Sequence, residues 1–390
     1  LFFVFDAYDF YFVPLSFALH QKYIWKSNLV GGGRLNWIVD RLSRIKPTLG
    51  EFLKEKEASD EWMYRRGYFL GNKKQEAKYI TGNYYIPERA FTDKGIDYSL
   101  IEKEKEIKFQ DKGNKKVFTI PQIFIKRGIS NKGIIPIELI DYEKVKQYAN
   151  DFNDILCFRH GIVGIHYNKS DKYIAEQFVS YFSKIENNKL FSLYLYLTSG
   201  ALLVRKEGVL EKTDIDTLPY PQENDLMREL QLSEVEKIWQ EDVFDYYIHQ
   251  GKAARNNPLN KDAGKEMVSD YANTFTWLMN LNYTPSKEKS FKTEKISITK
   301  SYVAVEFYYC KENIETEFVE TTEEEYHNYF EQQIGRSKKI TRIVKYIDFP
   351  NNKIYFIKPR QKRYWLKSIA DRDAMWCFAD IGNNKYNRTE

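Results

Sequence analysis

Cysteine is scarce in this sequence, whose 390 residues include only Cys157, Cys310 and Cys377. The three lie far apart and never in CxxC spacing, which excludes a disulfide framework or a zinc ribbon and predicts a reducing, cytoplasmic compartment. Long apolar runs are also absent. The most apolar stretch, residues 1–19, is interrupted by two aspartates and a proline, whereas a spanning helix needs roughly 18 apolar residues. We therefore expect no membrane span and no membrane partner.

Motifs for metal, cofactor and nucleophile chemistry are missing as well. The five histidines are scattered, and none has the HExxH or two-Cys-two-His spacing of a zinc site. No GxSxG nucleophile elbow occurs. A glycine triplet at residues 31–33 is expected to precede a helix, as a phosphate-binding loop would, but it lacks the upstream strand and the Lys-Ser/Thr of a Walker loop. The sequence therefore predicts no catalytic residue, no metal and no cofactor in this chain.

An excess of charge of one sign is missing too: the formal net charge is only +5, so composition alone does not indicate nucleic acid. The distribution along the chain is uneven. Residues 338–367 hold ten basic residues and one acid, whereas residues 315–325 hold six glutamates and no base. One interpretation is a phosphate-binding surface beside a solvated acidic one. The alternative is a chance run on the surface of an α+β domain.

Hydrophobic periodicity differs between segments of the chain. Leu35, Ile38 and Leu42 recur at helical spacing after the glycine triplet, short β-prone runs separated by turn residues fill residues 62–167, and helical periodicity returns over 172–203. We predict an α+β fold in which a β-rich lobe flanked by helices is followed by a second, smaller α+β domain. The expected parts are a helical segment at 1–60, the lobe with its closing helices at 61–221, a helix and linker at 222–262, and the second domain at 263–390.

The second domain has a predicted order of elements of its own. We expect a helix over 263–281, one strand over 296–310, a helix over 322–334, a hairpin around 350–352 and a final helix over 363–381. The polar stretch at 287–295 is expected to be a mobile loop.

Basic and aromatic residues alternate at several places in the chain. Lysine and arginine displace counterions from phosphates, while the guanidinium fork and flat rings engage bases. The alternative for the C-terminal run is that Tyr364 and Trp365 belong to the core and that the cations only cap the surrounding turns. The candidate DNA-binding residues are Arg34, Lys115, Lys116, Lys126, Arg127, Arg159, Lys358, Arg360, Lys362 and Arg363.

A family resemblance rests on four segments, Ile24-Trp-Lys-Ser-Asn-Leu-Val-Gly-Gly-Gly-Arg34, Pro47-Thr-Leu-Gly-Glu-Phe-Leu53, Ile120-Pro-Gln-Ile-Phe-Ile125 and Lys212-Thr-Asp-Ile-Asp-Thr-Leu-Pro-Tyr-Pro221. They resemble the region that follows the catalytic domain in bacterial N6-adenine DNA methyltransferases of restriction–modification systems. The last segment is the most family-like, because in those enzymes a similar phrase follows the target-recognition domain. The resemblance covers roughly residues 1–221 and implies a double-stranded DNA partner.

The catalytic motif of that family is missing from this chain. The methyltransferases carry an (N/D/S)PP(Y/F/W) motif that holds the adenine amino group beside the methyl donor, and this sequence contains no Pro-Pro dipeptide. No strand followed by a glycine-rich loop suggests a binding site for S-adenosylmethionine either. The resemblance therefore implies the non-catalytic C-terminal part, with S-adenosylmethionine bound by an upstream methyltransferase domain or by a separate subunit. The absence of an initiator methionine fits a fragment of such an enzyme.

Two alternatives to target recognition remain open. Residues 263–390 would in one case form the nuclease domain of a restriction enzyme. In the other, the chain would be a protein-interaction module of a phage-defence complex. Metal-dependent cleavage of duplex DNA would mark the first, and partner binding that is insensitive to salt would mark the second.

Overall fold

A computed structural model describes residues 15–20, 23–68, 78–81, 84–92, 95–103, 106–109, 115–130, 132–202, 209–221, 225–249, 258–283 and 287–386. The chain divides into two compact units, Leu1–Lys252 and Ala253–Glu390. The division falls inside the segment expected to hold a helix and a linker. Among the described residues, no helix has both the length and the hydropathy that crossing a membrane requires.

The first unit alternates helices with short strands. Its helices are α1 (Leu15–His20), α2 (Ile24–Arg44), α3 (Leu49–Ala58), α4 (Tyr142–Tyr148), α5 (Lys172–Ser183), α6 (Ile185–Thr198), α7 (Lys212–Asp216), α8 (Leu226–Leu230) and α9 (Glu234–Val243), the last followed by a π-helical turn, Phe244–His249. Its strands are β1 (Trp62–Arg66), β2 (Lys78–Thr81), β3 (Tyr84–Ile86), β4 (Phe91–Thr92), β5 (Gly95–Ile96), β6 (Glu102–Lys103), β7 (Glu106–Phe109), β8 (Gln122–Lys126), β9 (Ile137–Leu139), β10 (Leu156–Phe158) and β11 (Ile162–Tyr167).

An antiparallel sheet of four strands, in the order β1-β11-β8-β9, separates two cores in this unit. Side chains alternate across a strand, so neighbouring residues of β8 face opposite sides. Ile123 and Ile125 enter a core shared with α2, α5 and α6. Phe124 enters the other core, together with Tyr85 of β3 and Phe158 of β10. The sheet thus carries helices on one face and a lobe of small strands on the other.

The second unit is a five-stranded sheet between helices. Its elements are α10 (Lys265–Asn282), β12 (Ser290–Ile298), β13 (Tyr302–Cys310), β14 (Glu317–Glu320), α11 (Glu323–Ile334), β15 (Val344–Asp348), β16 (Lys353–Pro359) and α12 (Lys367–Tyr386), and its strand order is β14-β12-β13-β16-β15. Phe307 of β13 packs on Phe275 of α10, with ring centroids 4.2 Å apart. On the opposite face, Tyr355 of β16 packs against Phe330 of α11 at 5.4 Å.

The predicted α+β class is confirmed, and short strands recur in the described part of the segment between Trp62 and Tyr167. The prediction that the glycine triplet precedes the helix was wrong. Residues 31–33 lie inside α2 rather than before it. The buried stripe of Leu35 and Ile38 continues back to Ile24 and Ser27, so packing against the unit carries the helix through the glycines despite a cost of about 1 kcal/mol each relative to alanine.

Two expectations for the second unit also need correction. The segment at 287–295 is largely strand β12, which pairs with β13 from Ser290 opposite Cys310 to Ile298 opposite Val303. A register shift between Thr293 and Lys295 interrupts the alternation of apolar and polar residues, which is why the pattern looked like a loop. The single strand expected over 296–310 is a hairpin that turns after Thr299, whose hydroxyl donates to the carbonyl of Tyr302 at 2.8 Å.

Candidate nucleic-acid interface

Two of the four family-like segments of the first unit meet directly in space. The N–H of Leu49 donates to the carbonyl of Leu218 at 2.7 Å, and the N–H of Tyr220 donates to the carbonyl of Pro47 at 2.9 Å. The ring of Phe52 lies 4.7 Å from that of Tyr220. These contacts tie the second segment to the fourth, although more than 150 residues separate them in the sequence.

The first and third segments support the same frame. The Nζ of Lys26 donates to the carbonyls of Ser199 and Leu202, at 2.7 and 2.8 Å. The hydroxyl of Ser199 in turn donates to Asp214 at 2.8 Å, which connects α2 to the fourth segment. Burial lowers the pKa of Lys26 to about 8, while Asp214 opposes that shift. The third segment supplies β8, at the centre of the sheet.

Two paired strands of the lobe, β3 and β6, carry a group of charged side chains. β3 pairs with β6, Tyr84 opposite Lys103 and Tyr85 opposite Glu102. The hydroxyl of Tyr85 donates to one oxygen of Glu102, and Arg89 bonds the other. The guanidinium of Arg159, a predicted DNA-binding residue, lies 4.8 Å from the centroid of the Tyr85 ring. A tyrosine, a carboxylate and two arginines therefore lie together beside this pair of strands.

Lys115 and Lys116 occupy the 3-10 turn Lys115–Phe118. The buried side chains of Val117 and Phe118 anchor this turn in the core of the lobe. The Nζ of Lys116 lies 3.1 Å from the carboxylate of Asp60, with 30% of its side chain exposed. Lys116 is therefore accessible to an anion, whereas the side chain of Lys115 lies outside the described residues. The same holds for the side chain of Arg34, whose backbone belongs to α2.

Lys126 and Arg127 follow each other at the end of β8 but have different environments. Lys126 is half-buried, and its Nζ donates to the carbonyl of Phe91 at 3.4 Å. Arg127 is buried. Its Nε and Nη1 donate to the carbonyls of Leu210 and His160, both at 2.6 Å, and its Nη2 lies 3.0 Å from Glu211. The prediction that Arg127 is an exposed phosphate ligand was therefore wrong. The side chain is buried, and its donors hold three segments of the chain together.

Lys358 of the second unit is also buried rather than exposed. Its Nζ forms an ion pair with Asp373 and donates to the hydroxyl of Tyr271 at 3.0 Å. The centroids of the Tyr271 and Trp365 rings lie 4.2 and 5.0 Å from the ammonium. Burial lowers the pKa of Lys358 to about 8, and the Asp373 carboxylate opposes that shift. Its position on β16 turns the side chain toward α10 and α12, so Lys358 belongs to the core.

The other cations of this run are partly exposed. Arg360 donates to the carbonyl of Thr299 at 3.3 Å, and Arg363 bonds the side-chain oxygen of Asn260. Lys362 is half-exposed in the 3-10 turn Lys362–Tyr364. Tyr364 and Trp365 are buried, as the alternative interpretation of this run expected. Arg360, Lys362 and Arg363 therefore remain as candidates on the second unit.

The acidic run at 315–325 has partners of its own. Glu317 lies 3.2 Å from Lys295, and Glu320 lies 3.0 Å from Lys265. Lys265 is the main cause of the lowered pKa of Glu320, and Arg360 makes a smaller contribution in the same direction. The run therefore neutralises the basic residues at 358–363 only in part.

Glu306 is a buried titratable residue that was not predicted from the sequence. It is fully buried on β13, directly opposite Lys295 of β12 and Tyr355 of β16. Its carboxylate accepts a hydrogen bond from the hydroxyl of Tyr329 at 2.9 Å. Burial raises the pKa of Glu306 to about 7, although the Tyr329 hydrogen bond acts to lower it. The apolar residues around it in the sequence do not indicate that this glutamate is buried against one face of the sheet.

A cavity of about 720 Å³ opens beside β9 in the first unit. Glu138, Tyr98 and Tyr167 line it, with Lys144, Lys172 and Glu176. Burial raises the pKa of Glu138, whereas nearby Lys144 opposes the shift. Charged groups of both signs surround this space, so its chemistry points to no particular ligand. Nor do three or more His, Cys, Asp or Glu side chains converge as a metal site anywhere in the described part of the chain.

Comparison with known proteins adds no family assignment. No protein-family model matches the sequence, and no curated protein matches it with significance.

Proposed function

We propose that this chain is the DNA target-recognition and accessory part of an N6-adenine DNA methyltransferase, or of a combined restriction–modification enzyme. Its role is to bind double-stranded DNA and present the target. A methyltransferase domain or subunit bearing the Pro-Pro motif would bind S-adenosylmethionine, flip the adenine and transfer the methyl group.

The junction of the family-like segments carries this proposal. Segments that resemble one family only by short phrases would not need to meet in the fold, yet the backbones of Leu49 and Leu218, and of Pro47 and Tyr220, are hydrogen-bonded to each other. The second and fourth phrases therefore form one frame, in the core on the helical side of the sheet that carries the lobe. That arrangement fits a role in holding a recognition lobe in place.

The lobe supplies the groups that such a role requires. Lys116 and Lys126 retain exposed surface and can approach phosphates, which fix the position of a protein on duplex DNA. Arg159 offers a guanidinium fork, the group that most often reads guanine in the major groove. The alternative that residues 263–390 form a nuclease domain has no comparable support, because no observation on the described residues favours it.

Binding of duplex DNA as a function of salt tests the proposal. We expect the full chain to bind mixed-sequence duplex with an affinity that falls steeply as salt rises, because phosphate contacts release counterions. Reversing Lys116 and Lys126 together to glutamate should lower the affinity and reduce the log–log salt slope by up to about 1.8, at roughly 0.9 for each phosphate that is no longer neutralised.

A matched control comes from two exposed lysines. Lys54 of α3 and Lys184, which precedes α6, are both exposed, and reversing this pair changes the net charge by the same amount. The control should leave the salt slope unchanged. A wild-type chain that binds no duplex DNA, or equal losses in the two double variants, would reject the proposal. In calorimetry the chain alone should show no binding of S-adenosylmethionine.

A further inference from the structure

A basic segment of the second unit leads from α11 into β15. Residues 336–345 hold five basic residues and no acid. Gly335, whose φ of 62° lies in the left-handed region, ends α11 and turns the chain into this segment. The hydroxyl of Ser337 donates to Glu331 of α11 at 2.5 Å, and the N–H of Lys338 donates to the same carboxylate at 3.3 Å. The segment is therefore held against α11 by groups other than its charged side chains.

The strand that follows this segment lies at one edge of the five-stranded sheet. In the described part of the chain β15 pairs with β16 alone. Side chains alternate across a strand, and two neighbours on β15 point to opposite faces. Tyr346 packs on Phe330 of α11, with ring centroids 6.2 Å apart, whereas the Nζ of Lys345 lies 2.6 Å from Asp380 of α12. Cations beside these two residues therefore reach both faces of the sheet edge.

On the face that α11 covers, two cations lie over the ring of Tyr346. The guanidinium of Arg336 lies 5.3 Å from the ring centroid, and the Nζ of Lys338 lies 4.9 Å from it. Among the residues that the structure describes, neither these two cations nor Lys339 forms an ion pair with a carboxylate. Burial lowers the pKa of Lys338, and repulsion from Arg336 lowers it further. Three positive charges therefore lie together here without a compensating acid.

On the face that α12 covers, the cations continue around the edge. The Nη2 of the exposed Arg342 donates to the hydroxyl of Tyr364. The Nζ of Lys345 lies 4.4 Å from the centroid of the Trp376 ring. We call the resulting band of five cations the edge strip, and its members are Arg336, Lys338, Lys339, Arg342 and Lys345.

We propose that the edge strip binds the phosphate backbone of duplex DNA without reading its sequence. The inference rests on the proposed function and adds a contact surface on the second unit. Crowded cations become favourable when they bind a polyanion, because the polyanion then releases its own counterions. The rings of Tyr346 and Trp376 already have cations over their faces, so they offer no free surface on which a base could stack. Phosphates are therefore the favoured ligand.

A lysine on an edge strand has a structural role as well, since it discourages pairing with the edge of another sheet. That role accounts for Lys345, which lies within β15. It does not account for Arg336 and Lys339, because both precede the strand and are exposed in the segment before it. These two residues therefore provide the sharpest test of phosphate binding.

The test uses the full chain and two duplexes of equal length and unrelated sequence. Arg336→Glu/Lys339→Glu should weaken binding to both duplexes by the same factor, about tenfold or more in about 0.1 M salt, and lower the log–log salt slope by up to about 1.8. Lys287→Glu/Lys311→Glu is the matched control. Both lysines are exposed near the start of β12 and the end of β13, whereas β15 begins level with the other ends of these strands. The control should keep the wild-type slope.

The outcomes separate this inference from the proposed function. Equal affinity and slope in the strip variant and the control overturn the edge strip alone, whereas a wild-type chain that binds no duplex overturns both. A loss that differs between the two duplexes overturns binding without sequence preference. An acidic protein surface is the competing occupant, and loss of polyglutamate binding with duplex binding intact would assign the strip to it and overturn the proposal. If charge reversal lowers the melting temperature, Arg336→Gln/Lys339→Gln replaces it and should lower the slope in the same direction.

Discussion

Lys358 and Asp373 form an ion pair whose side chains are 0% and 1% exposed. Removing one partner of a buried pair leaves an uncompensated charge, which typically costs about 3–5 kcal/mol. We therefore expect Lys358→Met to lower the free energy of unfolding of the second unit by about 3 kcal/mol. The double variant Lys358→Met/Asp373→Leu should recover part of that loss. Chemical denaturation measures both.

Lys362 provides the control for this prediction, since it lies four residues away and is half-exposed. Lys362→Met should change stability by no more than about 0.5 kcal/mol. Equal effects of the two lysine variants would contradict the buried pair.

The sequence predicted elements well wherever apolar spacing was regular. α11 begins at Glu323 behind a capping box formed by Thr322 and Glu325, a pattern that is readable in the sequence. β12 was missed because its bulge interrupts the alternation. α2 begins earlier than predicted because burial of the stripe that includes Ile24 outweighs the low helix propensity of glycine. Tertiary packing decided both cases.

Candidate site residues were harder to predict, because composition gives charge but not exposure. Lys126 and Arg127 are adjacent and both basic, yet only Arg127 points into a set of carbonyl acceptors. Lys358 and Lys362 differ in the same way.

The adjacent pair at the end of β8 gives a second prediction. Arg127→Ala removes the side-chain donor to the carbonyls of Leu210 and His160 and one of the two arginines that pair with Glu211. We expect a loss of about 2–4 kcal/mol in the stability of the first unit. Lys126→Ala should leave stability within about 0.5 kcal/mol and reduce the salt slope of DNA binding by about 0.9. Thermal melting and DNA titration of both variants check this, and a stable Arg127→Ala protein would contradict the bracing role.

Gly50 tests the junction between the family-like segments. A Cβ atom at Gly50 would lie 2.8 Å from the Cβ of Asp216 and 3.1 Å from its carbonyl oxygen, so the backbone of α7 would have to move. Overpacking of this kind costs about 1–3 kcal/mol. We expect Gly50→Ala to destabilise the first unit, although alanine favours helix elsewhere. Gly128→Ala, where nothing lies within 4 Å, should be neutral, and similar melting temperatures for the two variants would disprove the close approach.

Glu306 makes the stability of the second unit depend on pH. Its pKa rises from 4.5 to about 7 because the carboxyl is buried. Between these values the folded protein holds a proton that the unfolded chain has released, so the free energy of unfolding falls as pH rises through this window. The loss should be of the order of 1–3 kcal/mol, at about 1.4 kcal/mol for each unit of pKa. Glu306→Gln keeps the shape without the charge and should stabilise the unit above pH 7.

The measurement is the difference in unfolding free energy between Glu306→Gln and the wild type, followed by chemical denaturation from pH 4 to pH 8. Taking the difference cancels the contribution of His166 in the first unit, whose pKa is lowered by burial. Glu317→Gln is the control, because Glu317 is exposed on β14 and pairs with Lys295 at the surface. It should shift stability only slightly, as exposed ion pairs contribute about 0–1 kcal/mol. A difference curve for Glu306→Gln that stays flat across the window would show that Glu306 keeps an ordinary pKa and that Tyr329 and Lys295 fully compensate its burial.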